Sequence, residues 1–303
     1  MRRIVATVAA LTLAAAGTLA IAGPAAAVGH HSERADHGTT VLVHGDGTNV
    51  TLSRRSVDEG RIAFKVDTTN AAPSGSQITL FRLVGHTTLT TFKADLTKEF
   101  SQDPSVAAEG TRDLNRDIRA FGLADVISGF PAKVTERLQA GRYYLMDLGN
   151  VGASGPDPVF TGFTVRDNHS HSNSANRQGD TSDGPVIKMT SDDRFVSPRR
   201  LPARGTVTVK NVADTIHFMS MGPVKKGTTD AQIQAYFDSK SQEPPPFGVD
   251  GPSIGLDVLS PGRQAEFTYS LPRGTYVLMC FVADDVTGMP HALMGMHQVV
   301  ILK

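Results

Sequence analysis

The chain has 303 residues, with 30 lysines and arginines against 30 aspartates and glutamates, so its formal net charge is zero. That balance argues against a nucleic-acid binder, which needs a basic surface. At about 100–200 residues per domain the length suggests two domains. The 29 glycines, 17 prolines and absent tryptophan suit a turn-rich all-β protein better than a helical bundle.

Residues 1–27 read as a secretory signal peptide. Arg2 and Arg3 form a positive start, Ile4 to Ala22 is apolar and alanine-rich, and Ala25-Ala26-Ala27 offers a small-residue cleavage site. The competing reading is a retained membrane anchor. Cleavage leaves 28 basic against 30 acidic residues, a net charge of −2. No later segment is apolar enough to span a bilayer, so the expectation is a soluble, exported protein without stable membrane insertion. Residues 28–40 read as a short disordered tail. Its start, Val28-Gly29-His30, would offer a free amine, main-chain nitrogens and an imidazole to Cu(II) or Ni(II) in a square plane. His31, His37 and His44 lie nearby.

Two diverged copies of one pattern follow, at 41–166 and 185–303. Gly60-Arg-Ile-Ala-Phe-Lys-Val66 parallels Gly205-Thr-Val-Thr-Val-Lys-Asn211, an offset of 145 residues. Ala132-Lys-Val-Thr-Glu-Arg-Leu-Gln-Ala-Gly-Arg-Tyr-Tyr-Leu-Met-Asp-Leu148 parallels Ala265-Glu-Phe-Thr-Tyr-Ser-Leu-Pro-Arg-Gly-Thr-Tyr-Val-Leu-Met-Cys-Phe281, an offset of 133. The first copy is therefore about 12 residues longer in its middle, and an insertion of that kind belongs in a loop. Alternation of apolar and polar residues marks half-buried antiparallel strands. Helical pattern is confined to Ala94–Phe100 and Thr229–Ser239, at corresponding places, with Asp230 placed to cap the second. Between the copies, 167–184 is rich in Ser, Asn, Asp, Gly and His and reads as a flexible linker.

The chain has one cysteine, Cys280, so no intramolecular disulfide forms. A lone thiol in an exported protein is buried and inert, a metal ligand, or a nucleophile. It ends a strand, a polar loop follows, and then comes Met289-Pro-His-Ala-Leu-Met-Gly-Met296-His297. Earlier in the same copy stands Ile216-His217-Phe218-Met219-Ser-Met221. Soft sulfur donors select Cu(I), imidazole serves both copper oxidation states, and two histidines, a cysteine and a weak axial methionine make a blue-copper site. Each residue also has a packing reading. Cys280 fits a buried small hydrophobe, His217 a satisfied core histidine, and the methionines core filler.

The second copy resembles the cupredoxin (plastocyanin/azurin-like) family, and most closely its secreted bacterial members, through the Gly-x-Tyr-x-x-x-Cys-Phe … Gly-x-Pro-His … Gly-Met pattern. The resemblance reaches 41–166 only through the internal repeat. It implies two tandem Greek-key β-sandwiches with short helical insertions. It also implies one copper per chain, held by His217, Cys280, His291 and Met296. The sequence departs from the family pattern in placing ten residues between Cys280 and His291, where blue-copper proteins have only a few. In the first copy Asp147 takes the place of Cys280, and Gly75 or Ser76 that of His217, so that copy is expected to bind no metal and to be structural or partner-binding.

Six of the nine methionines lie between 219 and 296; a thioether patch there suits Cu(I) carriage, and the alternative is core packing. His169-Ser-His171 is the only His-x-His pair, too few for a trinuclear copper cluster, and hydrolase and nucleotide motifs are absent from the sequence. The expectation is therefore a protein that is not an enzyme, with no catalytic residues. It would use copper for electron transfer or carriage with a redox or cell-surface protein partner, and Asp284 and Asp285 would line the loop without ligating. The alternative is a metal-free cupredoxin-like binding or structural protein of the cell surface.

Overall fold

A computed structural model describes residues 39–72, 74–151, 157–168, 184–241 and 243–303. The expected signal peptide, nearly all of the tail, and 169–183 of the linker lie outside these residues, as do His30, His31, His37, His169 and His171. The first copy runs β1 (Thr39–Gly45), β2 (Val50–Leu52), β3 (Ser56–Asp58), β4 (Gly60–Thr68), β5 (Ser76–Leu83), α1 (Leu89–Glu99), α2 (Pro104–Asp117), β6 (Ile118–Ala120), β7 (Ala124–Val126), β8 (Ala132–Leu138), β9 (Gly141–Asp147) and β10 (Thr161–Arg166). The second runs β11 (Val186–Thr190), β12 (Arg194–Val196), β13 (Arg200–Leu201), β14 (Arg204–Asn211), β15 (His217–Val224), α3 (Asp230–Asp238), β16 (Ile254–Leu259), β17 (Gln264–Ser270), β18 (Gly274–Met279), a 3₁₀ turn (His291–Met294) and β19 (His297–Leu302).

The duplication is repeated in the strand pairing, with β6 the strand that has no counterpart. β1 pairs parallel to β4 as β11 does to β14, and β10 pairs parallel to β3 as β19 does to β13. The remaining principal ladders are antiparallel. Strands alternate buried and exposed residues, as in β17, where Ala265, Phe267 and Tyr269 face inward. The protein is all-β, a pair of cupredoxin-like sandwiches with helical insertions.

The copies are not beads on a string. One sheet has the order β12-β11-β14-β17-β8-β4-β1-β2, and the other carries β18-β15-β16-β7-β5-β9 through its centre. Each sheet thus crosses from one copy to the other, at β17–β8 and at β16–β7. Side chains reinforce the β17–β8 seam. Arg61 grips Glu266 through two hydrogen bonds, at 2.8 and 2.5 Å. Arg263 donates to the buried Glu136 at 3.0 Å and lies 4.3 Å over the Phe121 ring. Guanidinium is the cation suited to both a planar carboxylate and an aromatic face. One continuous apolar core fills both copies, with Phe64, Phe81, Tyr143 and Phe163 in the first and Val207, Phe267 and Leu278 in the second. Truncating a buried ring of this kind to alanine costs about 3–5 kcal/mol.

The helices differ from expectation in two ways. α1 begins five residues earlier than the sequence pattern suggested, capped by Thr88, whose side chain accepts from Thr91 N–H. α3 is capped by Thr229 rather than Asp230, in a reciprocal box with Gln232. The extra length of the first copy is also no loop. It is α2, capped by Asp103 with Pro104 at its first turn, where a missing N–H costs nothing. Gly110 lets α2 lie close to α1, since a Cβ there would overlap the Glu99 main chain.

Candidate metal centre

The site is assembled at one end of the second copy. β15 and β18 are antiparallel neighbours, with Ser220 opposite Met279. His217, Met219 and Met221 alternate inward along β15, and Tyr276, Leu278 and Cys280 do so along and just past β18. This places His217 and Cys280 together at the strand ends. A register shift between His217 and Met219 re-aims the strand there.

The long loop after Cys280 returns as a tight hairpin. Ala283 and Pro290 face each other, flanked by Asp284 N–H to the Met289 carbonyl at 2.8 Å and His291 N–H to the Val282 carbonyl at 3.0 Å. Asp284 braces the tip by accepting from Thr287 N–H and hydroxyl, both at 2.6 Å. The ten intervening residues therefore bulge outward and bring His291 back. Main-chain bonds then lock the turn onto the cysteine. Ala292 N–H donates to the Cys280 carbonyl at 2.6 Å, Cys280 N–H to the Met296 carbonyl at 3.3 Å, and Met296 N–H to the His291 carbonyl at 2.9 Å.

His217, Cys280, His291 and Met296 are all fully buried, each at 0 % exposure. The Cys280 sulfur lies 3.7 Å from Nδ1 of His217 and 3.7 Å from Nδ1 of His291. The two imidazole centroids are 4.6 Å apart. A metal bonded to sulfur at about 2.3 Å and to nitrogen at about 2.0 Å spans about 3.7 Å between them at a trigonal angle. The three donor atoms thus stand where one ion would touch all of them. Met296 is held beside them by its main chain.

Burial sets the charge states. It holds the His217 imidazole down to about 3, with His291 adding to the effect, and His291 down to about 4. Both rings are neutral at neutral pH, the form that ligates. Burial pushes the Cys280 thiol up to about 12, and Asp193 and Glu99 add to the rise. The thiol therefore keeps its proton until a cation replaces it.

Asp193 is the residue the sequence reading missed. It sits in the turn between β11 and β12 at φ 53°, a left-handed conformation that aspartate tolerates better than most residues. Its Oδ1 lies 3.5 Å from His291 Nε2 and 4.0 Å from His217 Nε2. Burial raises its carboxyl to about 6, with Asp284 the next cause. Asp285 meets the first copy, its carbonyl accepting from Arg112.

The insertion of the first copy closes over this loop. Because Ala283 and Pro290 do not bond each other, Ala283 turns its own N–H and carbonyl outward. Glu99 of α1 accepts from that N–H at 3.3 Å, and Thr111 of α2 donates to that carbonyl at 2.8 Å. Asn115 of α2 holds the approach to His217, accepting from Ile216 N–H at 2.9 Å and donating to Thr215 at 2.6 Å.

At the matching place in the first copy, Asp147 ends β9 and Ser76 opens β5. Asp147 is fully buried and accepts from the main-chain N–H groups of Gly47, Gln77 and Gly149 at 2.8, 3.1 and 3.0 Å. The position that carries sulfur in the second copy is used here as a loop tie. His44 is engaged on the surface, 2.6 Å from Asp67. The six methionines do not form one thioether patch. Met219, Met221 and Met296 pack in the main core, Met279 packs in a separate cluster with Ile233 and Val299, Met294 is half-buried in the 3₁₀ turn, and Met289 is exposed.

No family model matches the chain, and no curated protein matches it. Solved structures do. An auracyanin from the photosynthetic bacterium Roseiflexus castenholzii is 23% identical over 39% of this chain and 94% of its own, with a TM-score of 0.24. The copper nitrite reductase of Nitrosomonas europaea is 10% identical over 88% of this chain and 94% of its own, with a TM-score of 0.23. The multicopper oxidase McoA of Aquifex aeolicus is 9% identical over 87% of this chain and 65% of its own, with a TM-score of 0.24. The expectation of a protein that is not an enzyme is corrected by these neighbours. The copper nitrite reductase and McoA, each similar over most of the chain, are enzymes. No helix among the described residues is long and apolar enough to cross a membrane.

Proposed function

We propose that the second copy binds one copper ion through His217, Cys280 and His291, with Met296 as the weak fourth donor, and that the protein works as an exported copper protein in electron transfer. The observation that carries this reading is the convergence of two Nδ1 atoms on one sulfur, each at 3.7 Å. Bound copper would supply one-electron exchange between its two oxidation states. The chain supplies the rest. The imidazoles are held neutral and ready, the thiol gives up its proton on binding, and the main-chain bonds from Cys280 to Ala292 and Met296 fix the donors in one geometry.

Between electron transfer and carriage, burial favours electron transfer. Handing a metal on requires a partner's ligand to reach it, and all four donors are fully buried, with the β11–β12 turn over the two imidazoles. The redox or cell-surface protein partner would then approach the outside of this cover. The test is titration of the purified protein with Cu(II), read by visible absorption and metal content, with Cys280→Ser alongside. The expected result is one copper with an intense sulfur-to-copper band, lost in the variant. Stoichiometric copper without that band points to carriage by histidine or methionine. No retained copper overturns the reading and leaves a metal-free scaffold.

A further inference from the structure

His291 turns only one of its two ring nitrogens toward Cys280. The other, Nε2, is fully buried and has no hydrogen-bond partner. It faces the Asp193 carboxylate, and one ligand atom each from Asp193, Asp284 and His291 lie within 4.8 Å of one another. The 3.5 Å from Nε2 to Asp193 Oδ1 is too long for a good hydrogen bond, which spans about 2.7–3.2 Å. It does suit two ligands of one ion, because nitrogen and oxygen bonded at about 2.0–2.2 Å in a tetrahedral arrangement stand about 3.3–3.5 Å apart.

The charges around this point are also unbalanced. Among the described residues neither carboxylate has an ion pair with lysine or arginine. The neighbouring Arg194 gives its Nη1 to the main-chain carbonyls of Asp193 and Met294 at 2.9 and 3.2 Å. Asp284 spends Oδ1 on the Thr287 and Val286 cap. A buried ring nitrogen left without a partner costs free energy, and a cation shared with the neighbouring carboxylates would remove that cost.

We propose a second metal site at this point, formed by Asp193, Asp284 and Nε2 of His291, that takes a divalent cation of the zinc or copper(II) class. Nitrogen and carboxylate donors select that class over Cu(I). With both sites filled, His291 is a bridge, Nδ1 toward the sulfur site and Nε2 toward the carboxylate site. The ring proton on Nε2 then leaves to solvent as the second ion binds, so filling the site releases a proton. The Asp193 side chain is 17% exposed, which gives this site a direct approach from solvent. The inference shares His291 with the copper reading and so rests on it in part.

The experiment counts zinc by native mass spectrometry after desalting, in the full chain, in Cys280→Ser, in Asp193→Ala and in the double variant, which sets the background from other histidines. The expected result is two zinc ions above background in the full chain and one in each single variant. One ion in the full chain that Cys280→Ser abolishes and Asp193→Ala leaves in place overturns the carboxylate site while sparing the copper reading. One ion that Asp193→Ala abolishes and Cys280→Ser leaves in place keeps the carboxylate site and removes the sulfur site. Circular dichroism of each variant shows that the fold is retained.

Discussion

Thr111→Val tests whether the first copy holds the loop of the second. Valine keeps the shape of threonine and removes one hydroxyl. Thr111 is fully buried, and its hydroxyl donates to the Ala283 carbonyl at 2.8 Å. That carbonyl faces out of the 282–291 hairpin, whose inward bonds are made on either side of Ala283. Without Thr111 it stays buried and unpaired, at a cost of about 1–3 kcal/mol. With no cavity created, packing should add little. Urea unfolding of the metal-free protein is the assay: the midpoint should fall with the slope unchanged, and Thr111→Ser should recover most of the loss. A change in Thr111→Val below about 0.5 kcal/mol, within the range of neutral surface substitutions, would refute the claim that α2 supports the loop.

Three further expectations concern the same region. Gly288 has φ 69°, and a Cβ there would overlap the Pro104 carbonyl of α2, so Gly288→Ala should cost about 2–5 kcal/mol from left-handed backbone and overpacking together; a variant as stable as the parent in thermal melts would contradict that contact. Burial raises the Glu99 carboxyl to about 7, above its unfolded value, so the stability it contributes is full below about pH 4.5 and is lost as pH rises through 7. Glu99→Gln should therefore gain on the parent between pH 5 and 8 in urea midpoints, and parallel pH curves would count against it. His217 and His291 are held down to about 3 and about 4, so the stability they contribute is full above pH 6.5 and falls as pH drops toward 4; their imidazole proton resonances in metal-free protein should titrate with midpoints below pH 5, and midpoints near 6.5 would show that the rings are hydrated.

What the sequence made legible was whatever depends on local period or on repetition. Alternation along Ala265–Leu271 shows a strand facing a core, and the two diverged blocks sharing Tyr-x-Leu-Met show the duplication. The residues that converge, His217, Cys280 and His291, were legible by type and spacing. The α2 helix was harder to see, because its buried face is built from Ala107, Ala108, Thr111 and Leu114 and carries little hydrophobic signal. Its Asp103-Pro104 start was the cue available. Asp193 was not legible at all. Asp192-Asp193 looks like ordinary turn composition, and its meeting with His291 depends on the β11–β12 turn folding over a residue almost a hundred positions away. The seam between copies is equally non-local, since nothing in either strand alone pairs β8 with β17.

That seam also bears on how the protein is made. Val134 on β8 pairs with Phe267 on β17, 133 residues later in the chain. At about 5–20 residues per second of synthesis, roughly 7–27 s separate the two strands at the ribosome. Throughout that interval β8 is an open sheet edge with its N–H and carbonyl groups unpaired, the kind of edge that recruits other chains. The neighbouring edge, β7, waits in the same way for β16. A nascent first half of this protein is therefore a natural client for a holding chaperone until the second half is made.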